Sequence, residues 1–335
     1  MRAVSVVGAG SWGTALAVHL GRVGHDVQLW ARDRALVEDM TVRRINRTYL
    51  PDVVFPETVT VTHALPDALR GSELVVLAIP SHGLRAVVRE AVASMAPGAV
   101  LVSAAKGLEG GTLLRMSEVI AQEAGPEHPV VVLSGPSFAL EVARQQPTAV
   151  LAASVGIAAT ELVQAEFRGP ALRIYGSDDV VGVEIGGALK NVIAIAAGVV
   201  EGLGLGHNAL AALITRGLAE LTRLACAAGG RRETLAGLSG LGDLVLTCTG
   251  DLSRNRRVGV ELARGRTLPE ILAGMKMVAE GVRTTGAALA LGARYGVELP
   301  IATQMAEVLD GRSDVRAALE ALMLRRQRSE ADAAG

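Results

Sequence analysis

Aromatic side chains make up only 2% of this chain, three Phe, three Tyr and two Trp among 335 residues. A core of ordinary size must therefore be built from Ala, Val, Leu and Ile, small side chains that let helices and sheets approach closely. Cysteine is almost as scarce. Cys226 and Cys248 lack metal-ligand spacing, so they read as small buried hydrophobes in a reducing cytoplasm. A net charge of −1 gives no electrostatic footprint for nucleic acid or an anionic membrane. Mean hydropathy is positive at +0.37, but the best apolar candidate, Val192 to Val200, falls well short of the ~20 residues a span requires. The N-terminus enters a glycine-broken strand at once, unlike a signal peptide. Lysine is the most telling shortage: of 33 basic residues only three are lysines, Lys106, Lys190 and Lys276. Arginine serves elsewhere, so each lysine is a candidate for what guanidinium cannot do, namely release a proton or fit as a compact ammonium.

What is present begins at Gly8. The β-branched run Ala3 to Val7 breaks into Gly8-Ala9-Gly10-Ser11-Trp12-Gly13, followed by an amphipathic helical pattern from Thr14 to Val23 and a second strand pattern, Val27 to Ala31. This places a G-x-G-x-x-G turn where a βαβ unit binds a dinucleotide. The first glycine makes the tight turn, the second admits the pyrophosphate, and the third lets the helix sit close on the sheet.

Strand and helix patterns then alternate. Strands are expected at Val59–Thr62, Leu74–Ile79, Ala99–Ser103, Val130–Ser134, Ala149–Ala153 and Leu172–Tyr175, with helices such as Leu84–Met95 and Leu113–Ala124 between them. Alternation of this kind predicts an α/β domain, a Rossmann-like doubly wound sheet over residues 1–178. From Asp178-Asp179 to about Arg328 only helical stretches are legible, punctuated by glycines, and residues 179–328 read as an all-helical second domain. Residues 329–335 read as a polar, disordered tail.

Four further segments carry polar groups in informative places. Ser103-Ala104-Ala105-Lys106-Gly107 ends a strand with a lysine that would project over a bound cofactor, unless it is an ordinary loop lysine. Ser134-Gly135-Pro136-Ser137 ends another strand and leads into a helix at Ser137, whose free amides could hold phosphate or hydroxyl oxygens, or whose serine merely caps it. Lys190 and Asn191 lie inside an apolar helix, where polar groups are costly to bury without partners. Lys190 either snorkels to water or faces a polar cleft, where desolvation can suit it to proton transfer. Finally, Gly237 to Leu244 surrounds Asp243 with glycines, followed by Thr247, Cys248 and Ser253-Arg254-Asn255, whose guanidinium suits a phosphate.

The segments GAGSWGTALA, AAKGLE, SGPSFALEVA, ALKNVIAIAAGVVEGLGLG, RGLAEL, GLSGLGDLVLTC, SRNRRVG and VAEGVRT closely resemble those of the bacterial NAD(P)-dependent glycerol-3-phosphate dehydrogenases, over nearly the whole chain. The resemblance implies reversible reduction of dihydroxyacetone phosphate to sn-glycerol 3-phosphate, supplying glycerophospholipid synthesis. It implies Lys190 as the proton acceptor, with Lys106, Gly135, Ser137, Asn191, Asp243, Ser253, Arg254 and Asn255 lining the substrate site. It also implies cofactor contacts from Ser11, Trp12, Arg32, Lys106, Ala139, Arg254, Val278 and Glu280, beside Gly8, Gly10 and Gly13. His207, where many members carry an acidic or small residue, is a poorer base than Lys190.

The second strand pattern ends Trp30-Ala31-Arg32-Asp33-Arg34, and this cationic setting suits a 2′-phosphate, so NADPH is expected in preference to NADH. Asp33 could still turn toward the ribose and admit NADH. The small-residue helical half hints at a homodimer. No metal cluster is expected. Two rivals stay open: a two-domain reductase for another hydroxy acid or sugar phosphate, and a catalytically silent nucleotide-binding regulator.

Overall fold

The computed structural model describes residues 1–275, 279–327 and 329. The chain forms two compact units, one of residues 1–106 and 114–180, the other of residues 107–113 and those from 181 onward.

In the first unit the strands are β1 (Ala3–Val7), β2 (Asp26–Trp30), β3 (Ile45–Asn46), β4 (Leu50–Val54), β5 (Val59–Thr62), β6 (Leu74–Leu77), β7 (Val100–Ser103), β8 (Val130–Ser134), β9 (Thr148–Ala153) and β10 (Leu172–Ser177). The helices are α1 (Ser11–Arg22), α2 (Arg34–Arg43), α3 (Leu65–Leu69), α4 (Ser81–Ala91), α5 (Met116–Ala124), α6 (Ala139–Ala143) and α7 (Ile157–Glu166). Eight strands make one sheet in the order β10-β9-β8-β7-β6-β1-β2-β5. All neighbours are parallel except β8 and β9. Leaving out the separate β3–β4 hairpin, the run from β5 to β8 has the doubly wound order, with its switch point between β1 and β6. The central strands β6 and β7 are buried at every residue. Their continuous Val/Leu character is what a sheet covered on both faces requires.

The parallel strands bring Gly8, Ala78, Ser103 and Ser134 to one carboxyl edge of this sheet. Two local expectations change. The β3–β4 hairpin was not legible in the sequence, because a two-residue strand has no period to detect. The helix after β8 starts at Ala139 with Phe138 at its N-cap, so Ser137 does not cap it. The Ser137 hydroxyl donates to Gly135 O instead.

The second unit contains α8 (Val180–Gly202), α9 (Gly206–Ala227), α10 (Arg232–Ala236), a π-helical turn (Leu238–Gly242), α11 (Asp243–Thr249), α12 (Arg254–Ala263), α13 (Leu268–Ala273), α14 (Glu280–Tyr295), α15 (Pro300–Leu309) and α16 (Val315–Met323). No strand follows Ser177 among the described residues. α8 is the unit's spine. It is longer than the apolar stretch anticipated from sequence and has a spanning helix's length and hydropathy, yet 89% of its most apolar window is buried inside the protein. It is a core helix, packed in one cluster with Leu221, Leu224, Val258 and Leu291. Cys248 is buried as expected, and burial pushes its thiol up to about 12. Cys226, in contrast, is exposed at the end of α9. The tail expected at 329–335 lies outside the described residues apart from exposed Ser329.

Glycines set how near α8 lies to its neighbours. A Cβ on Gly198 would stand 1.9 Å from Arg256 O, and one on Gly259 would stand 1.9 Å from Ile195 O. α8 and α12 therefore touch backbone to backbone, a contact that no larger residue permits. Asn191 and Gly198 are seven residues apart on α8, and Asn255 and Gly259 four apart on α12, so each pair shares a helix face.

Glu220 in α9 is also buried, and its carboxylate accepts the N–H groups of Ile301 (2.6 Å) and Ala302 (3.4 Å) in the first turn of α15. Burial raises its pKa to about 7, against the pull of those two amides. A folded-state value above the unfolded one means the native protein binds the extra proton. This contribution to stability is full below about pH 4.5 and is lost as pH rises through about 7. Glu220→Gln is expected to flatten the fall in Tm between pH 5 and 8. An unchanged slope in thermal denaturation would place the titrating group elsewhere.

Candidate active site

The glycine turn has the geometry that its sequence pattern demands. Gly8 has φ +116°, and a Cβ there would lie 2.5 Å from Ala78 O. A Cβ on Gly13 would lie 1.9 Å from Gly8 O. Gly10 differs: a Cβ would meet no protein atom within 4 Å. Packing does not require that glycine, and the space beside it, at the N-terminus of α1, is open. The hairpin missed in the sequence braces this turn. Asn46 Nδ2 donates to Ala9 O and to Thr14 Oγ1, both at 2.9 Å, and Ser11 Oγ donates to Tyr49 O at 2.7 Å. Trp12 and Ala139 are half-buried against the core of the same unit.

Also in this unit, Lys106 Nζ donates to Gly135 O at 3.0 Å, and the same oxygen accepts from Ser137 at 3.0 Å. The carbonyl is presented by a residue with φ +127°, whose Cβ would come within 3.1 Å of the Val150 backbone. Lys106 and the segment holding Gly135 and Ser137, singled out separately in the sequence, thus form one cluster after β7 and β8.

In the helical unit, Lys190 is buried on α8 and fully engaged. Its Nζ lies 2.5 Å from Asp243 Oδ1 and 2.7 Å from Thr247 Oγ1. The Thr247 hydroxyl donates to Asp243 O at 2.6 Å, so it accepts from the ammonium. Lys190 therefore does not snorkel; it faces a carboxylate and an oriented hydroxyl. A Cβ on Gly186, one turn before Lys190, would lie 2.9 Å from Ser239 O, which lets the π-helical turn lie against α8 and deliver Asp243. Thr247 is the site residue to which the sequence alone assigned no role. Its i, i+4 spacing from Asp243 was the available signal.

Ser253 is the N-cap of α12, and its Oγ accepts from Arg256 N at 3.3 Å. Arg254 and Asn255 occupy the first turn, whose main-chain N–H groups have no acceptor within the helix. The Arg254 side chain keeps solvent contact. Crowding by the protein still lowers its pKa, opposed by the charge of Glu280 at the start of α14; a guanidinium remains charged regardless. Asn191, Asn255 and Gly281 form a buried chain of hydrogen bonds. Arg32 is exposed in the first unit and His207 is exposed on α9. Val278 lies outside the described residues.

A glycine turn on a doubly wound sheet, and a buried lysine–carboxylate pair beside a cationic helix start in a second unit, are the apparatus of a nicotinamide-dependent oxidoreductase. Family models for the N-terminus and C-terminus of NAD-dependent glycerol-3-phosphate dehydrogenase match residues 3–159 and 179–320. A protein named glycerol-3-phosphate dehydrogenase (NAD(P)+) from Koribacter versatilis is 55% identical over 274 residues, 81% of each chain. One of the same name from Geobacter sulfurreducens is 53% identical over 270 residues, 80% of this chain and 81% of its own. The crystal structure of glycerol-3-phosphate dehydrogenase from Coxiella burnetii superposes with a TM-score of 0.93 at 40% identity, covering 97% of this chain and 99% of that one. The chain belongs to the NAD-dependent glycerol-3-phosphate dehydrogenase family. It is an oxidoreductase for the interconversion of dihydroxyacetone phosphate and glycerol 3-phosphate with a nicotinamide cofactor.

Proposed function

We propose that Lys190 carries the proton in this reaction, that NADPH is the preferred cofactor, and that the product feeds glycerophospholipid synthesis in the cytoplasm. The observation that carries the reading is the contact of Lys190 Nζ with both Asp243 and Thr247. The residues that would hold the cofactor are Gly8, Gly10, Ser11, Trp12 and Gly13, with Arg32, Ala139 and Glu280. When bound, it supplies the hydride that reaches C2. Lys190, as ammonium, stabilises the charge developing on the C2 oxygen and gives up its proton there; in the reverse direction the neutral amine takes it back. Asp243 and Thr247 fix the direction of that amine, and Asp243 offsets its charge. Lys106 orients the same oxygen, supported by Gly135 and Ser137. Arg254 with Asn255, the first-turn amides of α12 and Ser253 anchor the phosphate, using remote binding energy to hold C2 in place. The working form is a homodimer.

The preference for NADPH is supported by what the charges after β2 are doing. Asp33 Oδ1 accepts from Ala35 N at 2.9 Å and Leu36 N at 3.3 Å as the N-cap of α2. Arg34 pairs with Glu38. Capping engages the carboxylate that could have met a ribose 2′-hydroxyl, whereas Arg32 has no side-chain partner among the described residues. Arg32→Ala is expected to lower the ratio of kcat/KM for NADPH to that for NADH about tenfold or more, the scale of one charged hydrogen bond. An unchanged ratio would move the 2′-phosphate site elsewhere.

The test of the whole reading is cofactor oxidation with dihydroxyacetone phosphate and unphosphorylated dihydroxyacetone, each with NADPH and NADH. Rapid turnover of the phosphorylated ketone with NADPH, and little of the other, is the expected pattern. Comparable turnover of both ketones would remove the phosphate anchor, and a higher kcat/KM with NADH would reverse the cofactor assignment.

A further inference from the structure

The partners of Asn46 leave its side-chain amide a single orientation. Ala9 O can only accept, and the Tyr49 main-chain N–H can only donate. Asn46 Nδ2 lies 2.9 Å from Ala9 O, and Asn46 Oδ1 accepts from Tyr49 N at 3.1 Å. Turning the amide over would set oxygen against oxygen and donor against donor. The second hydrogen on Nδ2 goes to Thr14 Oγ1, at 2.9 Å near the start of α1. Asn46 is fully buried, so a misplaced amide there would strand polar groups out of reach of water. The hairpin that carries it is itself fixed. Ser11 Oγ holds Tyr49 O at 2.7 Å, and Phe55 N donates to Arg44 O at 2.8 Å where the hairpin closes.

The consequence falls on the peptide between Ala9 and Gly10. Its C=O and N–H belong to one planar trans unit and point in opposite directions. Drawing Ala9 O inward to Asn46 therefore sends Gly10 N–H the other way. That N–H has no acceptor among the described residues, and the space beside Gly10 is open. Other main-chain groups of the turn are engaged: Gly8 N–H donates to Trp30 O at 3.0 Å, and Gly10 O accepts from Thr14 N at 2.9 Å.

We propose that Asn46 is a positioning residue for the cofactor: by holding Ala9 O inside the protein it turns Gly10 N–H outward, as a donor to the pyrophosphate. The role rests on the cofactor assignment proposed above. It gives the hairpin a purpose beyond packing, since the side chain that aims the turn lies 37 residues after the peptide it aims.

The test compares two ligands by titration of the folded protein: NADPH, and adenosine 2′-phosphate, which shares the adenosine end but has no pyrophosphate. Asn46→Ala is expected to raise the Kd for NADPH about tenfold or more, the scale of one hydrogen bond to a charged group, and to leave that for adenosine 2′-phosphate within about threefold. Thr14→Val removes the other acceptor of the same amide but not its hold on Ala9 O. It is expected to lower Tm while both Kd values stay within about threefold of wild type. Equal losses for the two ligands in Asn46→Ala would mean that Asn46 only stabilises the unit, and would overturn the proposal. So would a loss of NADPH affinity in Thr14→Val as large as in Asn46→Ala, or an unchanged NADPH Kd in Asn46→Ala. If Asn46→Ala fails to fold, a crystal structure of the wild type with NADPH decides. Gly10 N within hydrogen-bond distance of a pyrophosphate oxygen, with Ala9 O still on Asn46, is expected; a pyrophosphate held without Gly10 N–H overturns the proposal. A wild type that binds no NADPH would instead refute the cofactor assignment, so the two failures are distinguishable.

Discussion

Lys190→Met lowers kcat about a thousandfold or more, while the Kd for NADPH stays within about twofold of wild type. The size follows from removing both the proton source and the positive charge at the oxygen that becomes a hydroxyl. The cofactor is unaffected because the glycine turn belongs to the sheet unit, whereas Lys190 is held by α8. Lys190→Arg does not rescue the loss, since a guanidinium does not give up its proton at any accessible pH. Removing the lysine also strands Asp243, which is 1% exposed, so Tm falls as well; breaking a buried pair in this way costs about 3–5 kcal/mol. Adding Asp243→Asn removes the stranded charge and restores much of the Tm without restoring turnover. Recovery of turnover together with Tm would mean that Lys190 is structural.

The second large effect separates two glycines that look alike in the sequence. Gly13→Val drives a side chain into Gly8 O, 1.9 Å from where its Cβ must stand. It therefore loses both cofactor binding and native stability. Gly10→Val meets no protein atom near its Cβ, and Gly10 has φ −71°, an ordinary value for any residue. That variant folds with a Tm close to wild type and loses NADPH affinity about a hundredfold or more, because its side chain occupies the path of the pyrophosphate. Tm and cofactor titration on the two variants decide the matter. Parallel behaviour of the two variants would mean that the turn is shaped by packing alone.

These contrasts mark where the sequence was legible. Period and punctuation located the strands of the doubly wound sheet, since fully buried parallel strands such as Leu74–Leu77 are continuous apolar runs closed by turn residues. The scarcity of lysine pointed to Lys106, Lys190 and Lys276; the first two are engaged by side-chain or main-chain partners, and Lys276 lies outside the described residues. The β3–β4 hairpin was not legible, because its role rests on contacts distant in sequence, Asn46 reaching 37 residues back to Ala9 O and Tyr49 O accepting from Ser11. Pattern arguments look three or four residues away, and such a contact has no local trace. The longest apolar stretch, Val192 to Val200, covers only part of α8 because Lys190 and Asn191 break the run, and only their partners Asp243, Thr247 and Asn255 explain how a buried helix tolerates them. Ser137 looked like a helix cap because it precedes a helical pattern, but Gly135 O was the acceptor within its reach.

The most direct test of the proton-transfer assignment is a crystal structure of the wild-type protein with glycerol 3-phosphate. The expected result has Lys190 Nζ within hydrogen-bond distance of the C2 hydroxyl oxygen, the phosphate on Arg254 and the start of α12, and Asp243 still paired with the amine. A ligand whose C2 oxygen is held by another group, with the amine of Lys190 directed only into the protein, would contradict it.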